Sequence, residues 1–372
     1  MKTLKLLHNE SMGIAELAML AKLRGDFEES NRLFKEALKL ELEAINTFEK
    51  TEISEPTYSI LHRSAATLAL DCNDHRKAEQ IVAKALSHEP PAEIAEELRD
   101  LLEQINFQRH LLLRGVTLGE DEMQMSLAGK GVGFGVINSE EFLQRIENAS
   151  KIIYRIVECR QKKPFRDRGR IPKSLKEDYE VFVSVPRAAS FSVTLKLGWP
   201  VSQKKLPGFS STSEIIDEFM GLMDLVNRNA LEELERHIPD EAYLRNFIGL
   251  SKLIAPDGEN VKLVGFTTTR KGEEKFVEVT KQRKEINIPK TSEQPADESS
   301  SCSVKGLLLF ADATQAESGL IKIVDETTKE FHLIKVPEGM MDDIVKPLWD
   351  STVIVTGRKE GRYILLEDIQ EE

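Results

Sequence analysis

The feature that most constrains the fold is a helical hairpin pattern that occurs twice near the start of the chain, over residues 14–40 and 62–90. In both copies a first helix carries small residues on one face. A tight turn follows, and then a second helix with apolar residues at helical spacing. Gly25 and Asn73 stand at the turns, where the end of a helix favours a residue with positive φ. Because small residues let two helix axes approach closely, the pattern predicts antiparallel helices packed side by side.

The positions that repeat define a recognisable signature. The first copy carries Ala18, Gly25, Phe27, Ser30, Phe34 and Ala37, and the second carries Ala66, Asn73, His75, Ala78, Val82, Ala85 and Pro90. This signature resembles the tetratricopeptide repeat (TPR), and the resemblance implies a helical surface for contact with another protein. The two turns are 48 residues apart, against about 34 in that family. The first copy therefore has either a longer second helix or a long connector. A further helix over residues 92–113 is expected to cover the second hairpin.

The middle of the chain mixes helix and strand patterns in an order that matches no common enzyme fold. Four glycines alternate along a predicted strand: Gly129, Gly131, Gly133 and Gly135. A strand of this kind has one bare face, which a helix or a ligand can approach closely. Its spacing fits neither the dinucleotide-binding fingerprint nor a P-loop, so close packing is favoured over ligand binding. Next, Asn138 and Glu141 are spaced as a helix N-cap and its reciprocal partner.

A basic loop follows the next predicted helix and is the best candidate for a binding site. Its cations surround one aromatic ring, and the proposed residues are Arg160, Lys162, Lys163, Phe165, Arg166, Arg168, Arg170 and Lys173. Arginines can hold phosphates while an aromatic ring stacks on a base, which suggests RNA or single-stranded DNA. The loop could equally be a solvated connector or dock on an acidic part of the same chain.

The C-terminal part has five predicted strands with a short helix between the third and fourth. That order of elements is similar to the OB-fold, a small Greek-key barrel. Two acidic pairs, Asp342–Asp343 and Glu367–Asp368, are interpreted as solvated edges of this barrel. The sequence thus predicts a multidomain α+β protein. It has TPR-like helical hairpins over residues 1–114, a central α+β domain over 115–290, a disordered acidic linker over 291–302 and a small OB-like β-barrel over 303–372.

Composition excludes several classes of function. The net charge is −12, with an acidic excess at both ends around a mildly basic middle, which argues against broad nucleic-acid binding by the whole chain. No apolar run approaches the roughly eighteen residues of a membrane span. Three scattered cysteines form neither a disulfide framework nor a zinc site, so the expected compartment is the cytoplasm. The seven histidines lack metal-ligand spacing, and no catalytic motif is present.

These observations favour a non-catalytic adaptor or regulatory protein that binds another protein through its TPR-like region. The groove-lining helices offer Ala15, Met19, Arg63 and Thr67 as a partner surface, too few cations for a carboxylate clamp. The alternative is an RNA- or single-stranded-DNA-binding accessory protein that uses the barrel and the basic loop. A third alternative is an enzyme with an unfamiliar central domain. No catalytic residue, metal or cofactor is predicted. The layout also resembles a group of bacterial proteins, from which no activity follows.

Overall fold

Two separately packed units make up the chain: a helical unit, Met1–Leu112, and a mixed unit, Leu113–Glu372. The computed structural model describes residues 4–24, 26–49, 54–111, 118–130, 132–133, 136–167, 169–184, 191–198, 211–289, 301–312, 318–326 and 328–371. Among these residues, no helix is both long enough and apolar enough to cross a membrane.

The helical unit consists of consecutive antiparallel helices, as the hairpin pattern predicts. They are α1 (Leu4–Leu23), α2 (Phe27–Glu49), α3 (Thr57–Asp71), α4 (His75–Leu86) and α5 (Ala92–Leu111). Helix α1 packs on α2, α3 packs on α2 and α4, and α5 packs against α3 and α4. Fully buried small residues lie at these contacts, among them Ala18, Ala65, Ala69, Ala78 and Ala85.

Local signals account for how the helices end. Asn73 has a φ of 58°, which confirms the predicted left-handed residue after α3. The next residue, Asp74, caps α4 by accepting a hydrogen bond from the backbone N–H of Lys77. The predicted turn at Gly25 lies outside the described residues. Because α2 continues to Glu49, the wide spacing of the two hairpins reflects a longer second helix.

The first part of the mixed unit is a five-stranded antiparallel sheet with helices on one face. Its elements are β1 (Glu122–Ala128), β2 (Val132–Gly133), β3 (Val136–Ile137), α6 (Ser139–Arg160), α7 (Lys173–Tyr179), β4 (Val181–Val183), β5 (Phe191–Leu197), α8 (Thr212–Arg228), α9 (Leu231–His237), α10 (Glu241–Ile254), β6 (Leu263–Arg270) and β7 (Glu273–Val279). The sheet order is β4-β5-β1-β6-β7, and β2 and β3 form a separate small pair. Alternate residues such as Met123, Met125 and Leu127 join the apolar side chains of α6, α8 and α10 in one core.

The start of α6 differs in one detail from the expectation. Asn138 caps the helix, since its side chain accepts hydrogen bonds from the N–H groups of Glu140 and Glu141. The prediction that the Glu141 carboxylate bonds back to the cap is wrong. That carboxylate pairs with Arg145, which is fully buried, and lies 3.6 Å from Arg283. A buried guanidinium without a carboxylate partner costs about 3–5 kcal/mol, whereas an exposed helix cap loses little without its second hydrogen bond. The Glu141 carboxylate therefore pairs with Arg145.

The glycine-rich stretch after β1 allows a close approach of backbone to backbone. Gly129 has a φ of 150°, and a side chain there would lie 2.5 Å from the carbonyl oxygen of Asn260. The bare backbone therefore accommodates a neighbouring segment of the same chain. Gly133 belongs to β2, whereas Gly131 and Gly135 lie outside the described residues.

The C-terminal part is a closed five-stranded barrel. Its strands are β8 (Ser301–Asp312), β9 (Ser318–Asp325), β10 (Phe331–Pro337), β11 (Thr352–Glu360) and β12 (Tyr363–Glu371). They follow the order β10-β12-β11-β8-β9, and β9 pairs with β10 to close the barrel. Only β10 and β12 run parallel among these pairs. Helical turns at Met341–Val345 and Lys346–Leu348 connect β10 to β11. The linker predicted over residues 291–302 lies outside the described residues as far as residue 300.

This barrel is joined to the central domain through buried polar contacts. The Asp343 carboxylate accepts hydrogen bonds from Arg155 Nε at 2.9 Å, Arg155 Nη2 at 2.6 Å and Asn246 Nδ2 at 3.0 Å. Nearby, Arg245 donates to the carbonyl of Glu338 at 2.7 Å. The interpretation of Asp343 as a solvated barrel edge is therefore wrong, because the side chain meets a cation that is remote in sequence. Asp368, of the second acidic pair, likewise bonds Lys252 of α10.

Candidate binding surfaces

Helix α1 presents a row of leucines on the side away from the core. Leu6, Leu17 and Leu20 are each about half exposed, at 51, 55 and 47 %. Together with Gly13, they lie within about 60° of one another around the helix, given 3.6 residues per turn. We call Leu6, Gly13, Leu17 and Leu20 the leucine stripe. Leu17 and Leu20 are neighbours one turn apart, whereas Leu6 lies about three turns before Leu17, on the same face. Surface leucines occur singly in most proteins, but several on one face of a helix are typical of a contact surface.

The four residues predicted as a partner surface fall into two places. Ala15 is partly buried against the Ala18 and Phe34 cluster, whereas Met19 on the same helix is exposed. Arg63 and Thr67 are brought together in a shallow groove of about 370 Å³ between α3 and α5. The groove is also lined by Glu97, Asp100, Leu101 and Gln104.

Charge in this groove differs from that of a site for a peptide carboxylate. The Arg63 guanidinium forms an ion pair with Glu97, and its neighbour Thr67 donates its hydroxyl hydrogen to the Arg63 carbonyl. Asp100 adds a second carboxylate, so the groove is acidic overall. Whether these residues contact a partner stays a prediction.

The basic loop has two arginines that are engaged within the protein. Arg160 lies 3.3 Å from Glu218, and burial raises the pKa of that carboxyl while the Arg160 charge opposes the rise. Arg166 lies 3.0 Å from Glu158 and donates to the Gly169 carbonyl at 2.6 Å. These pairs hold the loop on the central domain.

The aromatic ring of the loop is packed as well. Phe165 meets the edge of Tyr243 with 5.0 Å between ring centroids. The Arg155 guanidinium lies 4.1 Å from the centroid of the Phe165 ring, over its face. With both contacts made inside the protein, the ring has little surface left for a base. Among the other cations, Lys162, Lys163, Arg170 and Lys173 are exposed, and Arg168 lies outside the described residues.

A group of cations and aromatic rings, missed in the sequence, lies on the outer face of the barrel. Phe331 on β10 is 60 % exposed, and Lys322 Nζ of β9 lies 3.6 Å from its ring centroid. Tyr363 at the start of β12 lies beneath Lys335 at 5.0 Å and Arg362 at 4.7 Å. We call Lys322, Phe331, Lys335, Arg362 and Tyr363 the barrel face.

Strand register explains why these side chains meet. Leu333 of β10 pairs with both Lys322 and Tyr363, so the two strands flanking β10 present their side chains beside it. Ile334 and Val336 alternate with them and are fully buried inside the barrel. The period-2 alternation of β10 was visible in the sequence and could have identified its outward positions.

The titratable groups show no sign of an activated nucleophile in the described part of the chain. Burial raises the pKa of the thiols of Cys72, Cys159 and Cys302, which keeps each thiol protonated and weakly nucleophilic. Among the residues that the structure describes, no three metal-ligating side chains converge.

Comparisons of the chain with protein-family models, with curated proteins and with solved structures find no match in any of the three. The fold and its surfaces define only a class: a multidomain α+β protein with N-terminal helices and a C-terminal closed five-stranded barrel.

Proposed function

We propose that the protein is a non-catalytic adaptor or regulatory protein, and that its TPR-like helical unit binds another protein. The observation that carries this proposal is the leucine stripe on α1. An apolar row with leucines at positions 6, 17 and 20 fits the apolar face of a partner helix, which places its anchors at helical spacings.

The TPR-like assignment is supported by the hairpins themselves. Each has a helix, a turn and a second helix, and alanines fill the contacts between them. A TPR array usually needs about three repeats to be stable, and this unit has two hairpins with one further helix. The helix at the end of such a short array is expected to leave apolar surface exposed, and α1 is such an end helix. The leucine stripe lies on that helix.

The test is affinity purification of the full chain from native extract, comparing wild type with Leu17→Lys/Leu20→Lys. Both leucines are about half exposed, so the variant should fold, with a change in stability within about 0.5 kcal/mol. A partner should be retained by wild type and lost by this variant. The matched control is Leu143→Lys, which changes an exposed leucine on α6 and should keep the partner. Recovery of wild type alone at low salt, or equal retention by the stripe variant, would refute the proposal.

A second candidate function is binding of RNA or single-stranded DNA by the barrel. We infer that the barrel is OB-like, because its first strand pairs with the second and fourth, and its third runs parallel to its fifth. In OB-folds the second and third strands bind oligonucleotides, and the barrel face lies on β9, β10 and β12. Its cations lie over the exposed Phe331 ring and the partly exposed Tyr363 ring, an arrangement that suits base stacking and phosphate contact.

Fluorescence anisotropy with labelled oligo(dT) and oligo(rU) tests this second function. Phe331→Ala/Tyr363→Ala should weaken binding at least tenfold, because stacking contributes about 1–3 kcal/mol per base. Trp349→Ala is the control, since Trp349 is 52 % exposed on the connector between β10 and β11. A second variant tests whether the exposed cations of the basic loop contribute to binding. It is Lys162→Ala/Lys163→Ala/Arg170→Ala, which leaves the Arg166–Glu158 pair intact. Binding that is absent, or that both the ring variant and the loop variant leave unchanged, would remove the hypothesis.

A further inference from the structure

Helix α1 lies at the open end of the helical unit. It makes its main contacts with α2, whereas α3 packs on α2, α4 and α5. The side toward α2 carries Leu7, Ser11 and Ala18, each at most 1 % exposed. The leucine stripe lies about 130° around the helix from that side, given 3.6 residues per turn. One side of α1 is therefore open, and it offers a contact surface nearly as long as the helix.

Gly13 lies midway between two leucines of the stripe. Leu6, Gly13 and Leu20 follow one another at intervals of seven residues, so they lie nearly on one line along the helix. A glycine inside a helix weakens it relative to alanine. A side chain at Gly13 would meet no atom within 4 Å in the described part of the chain, so no contact there requires a glycine. A close approach from outside the chain accounts for it.

Two copies of α1 can pair around Gly13. When the helices run antiparallel and cross at this residue, position 6 of one copy faces position 20 of the other, because both are seven residues from the crossing point. Leu6 then packs on Leu20 of the second copy, and the contact occurs twice, as two-fold symmetry requires. The missing side chain at the crossing point lets the helix axes approach closely. Antiparallel helix dipoles also attract each other.

The polar residues beside the stripe are compatible with this pairing. Asn9 and Glu16 are exposed and lie on the same edge of the stripe. In the antiparallel pair, Asn9 of one copy lies within about one residue of Glu16 of the other, and its amide can donate a hydrogen bond to that carboxylate. Glu10 is level with Glu16 of the second copy but lies on the opposite edge, so these two carboxylates do not meet. A second copy is thus complementary in polar groups as well as in shape.

We propose that two copies of the chain associate through α1, antiparallel and crossing at Gly13, so that Leu6 of each copy packs on Leu20 of the other. A single pair of helices buries less than the roughly 1,200–2,000 Å² of a standard interface, so the dimer dissociates in the micromolar range or above. The inference rests on the leucine stripe of the proposed function and adds its regulation, since a partner helix must displace the second copy.

Sedimentation velocity of the full chain, from low micromolar to submillimolar concentration, tests the association. The sedimentation coefficient of wild type should rise with concentration. Gly13→Arg should weaken the dimer at least tenfold, because a residue at the crossing point faces itself and two cations would meet there. The matched variant Gly13→Ala adds only a methyl group and should keep the dimer. Leu143→Lys, which changes an exposed leucine on α6, should also keep it.

A charge-pair experiment tests the register. Leu6→Lys and Leu20→Glu should each weaken the dimer at least tenfold. The double variant Leu6→Lys/Leu20→Glu should recover it, because each lysine then faces a glutamate of the second copy. A parallel pair would face each position with itself and would give no recovery. Both leucines are about half exposed, so the variants should fold, and thermal unfolding checks this.

Two results would overturn the proposal. One is a wild-type chain that stays monomeric over the whole concentration range. The other is a double variant that stays as weak as the single variants, which excludes the crossing at Gly13. Failure of the dimer is distinct from failure of the proposed function. A monomer whose partner is still lost in Leu17→Lys/Leu20→Lys removes only the dimer, whereas a dimer whose partner that variant retains removes only the adaptor proposal.

Discussion

Replacing Asp343 by alanine should destabilise the mixed unit strongly. The carboxylate accepts three hydrogen bonds, two from Arg155 and one from Asn246. Arg155 is 4 % exposed, so its charge is not solvated once the carboxylate is gone. Removing one partner of a buried ion pair typically costs about 3–5 kcal/mol. Arg155 retains Glu158 at 3.2 Å and the Arg166 carbonyl at 3.1 Å, which places the expected decrease in stability near the lower end, about 3 kcal/mol.

Thermal unfolding followed by tryptophan fluorescence measures this decrease. Trp349 lies on the same connector as Asp343 and reports on the packing of the barrel against the central domain. For a unit of this size, about 3 kcal/mol corresponds to a fall in Tm of roughly 6–12 °C. The matched control is Glu177→Ala, which breaks the exposed pair with Lys173 at 3.6 Å. It should change stability by less than about 1 kcal/mol.

A paired replacement separates the removal of the carboxylate from the cost of leaving Arg155 unpaired. In Asp343→Leu/Arg155→Met neither member of the pair keeps a buried charge, so much of the stability should return. If Asp343→Ala unfolds at the same temperature as Glu177→Ala, the Asp343–Arg155 pair contributes no more than a surface pair. The barrel would then be held on the central domain by other interactions.

Three further sites test local features. Gly339→Ala should cost more than about 2 kcal/mol in urea unfolding, because φ is 96° and the new Cβ would lie 2.3 Å from the Ala242 carbonyl oxygen. The control is Gly272→Ala, which has a φ of 82° and open space around it and should cost only about 1 kcal/mol. Equal decreases in stability for Gly339→Ala and Gly272→Ala would show that the contact with Ala242 has no cost of its own. Burial acts to raise the pKa of Asp257, but the backbone N–H groups that donate to it and the Arg145 charge outweigh burial and lower it. The Asp257 carboxylate therefore stabilises the fold above its unfolded pKa, and this stabilisation is lost as the pH falls through the lower folded pKa. In Asp257→Asn the free energy of unfolding should depend less steeply on pH below about pH 4, as acid unfolding measures. Asn73→Ala should cost about 1 kcal/mol at its φ of 58°, and Asn73→Gly should not.

The parts of the fold that depend on local chemistry could be predicted from the sequence. The left-handed residue at Asn73 and the cap at Asn138 are properties of a few neighbouring residues, and both are present. The strands of the barrel alternate between inward and outward residues over short stretches, which the sequence shows directly. The existence and type of these elements were therefore predictable.

Contacts between distant residues could not be predicted in the same way. Glu158, Glu218 and Asp342 are partners of Arg160 and Arg166 in the basic loop, and two of these carboxylates are far from the loop in sequence. Similarly, α1 has leucines on several sides, so its pattern does not show which side faces the core. Leu7 is buried while Leu6 is exposed, and only the packing of α2 determines this.

The number of cations at each surface gives the nucleic-acid hypothesis a quantitative consequence. Arg160 and Arg166 are paired with carboxylates, so the basic loop contributes fewer charges than its composition suggests. On the barrel face Lys335 is paired with Glu360 at 3.2 Å, which leaves Lys322 and Arg362 as its available cations. For single strands the logarithm of affinity falls with the logarithm of salt concentration with a slope of about −0.7 per neutralised phosphate. Binding at the barrel face alone should thus give a slope of about −1.4.

If Lys162, Lys163 and Arg170 of the basic loop also bind phosphates, the slope would steepen to about −3.5. A steep slope that the Lys162→Ala/Lys163→Ala/Arg170→Ala variant lowers would place the nucleic acid on both surfaces. A slope of about −1.4 that this variant leaves unchanged would confine the nucleic acid to the barrel. The two results are distinct because removing any cation that neutralises a phosphate must reduce the number of counterions released on binding.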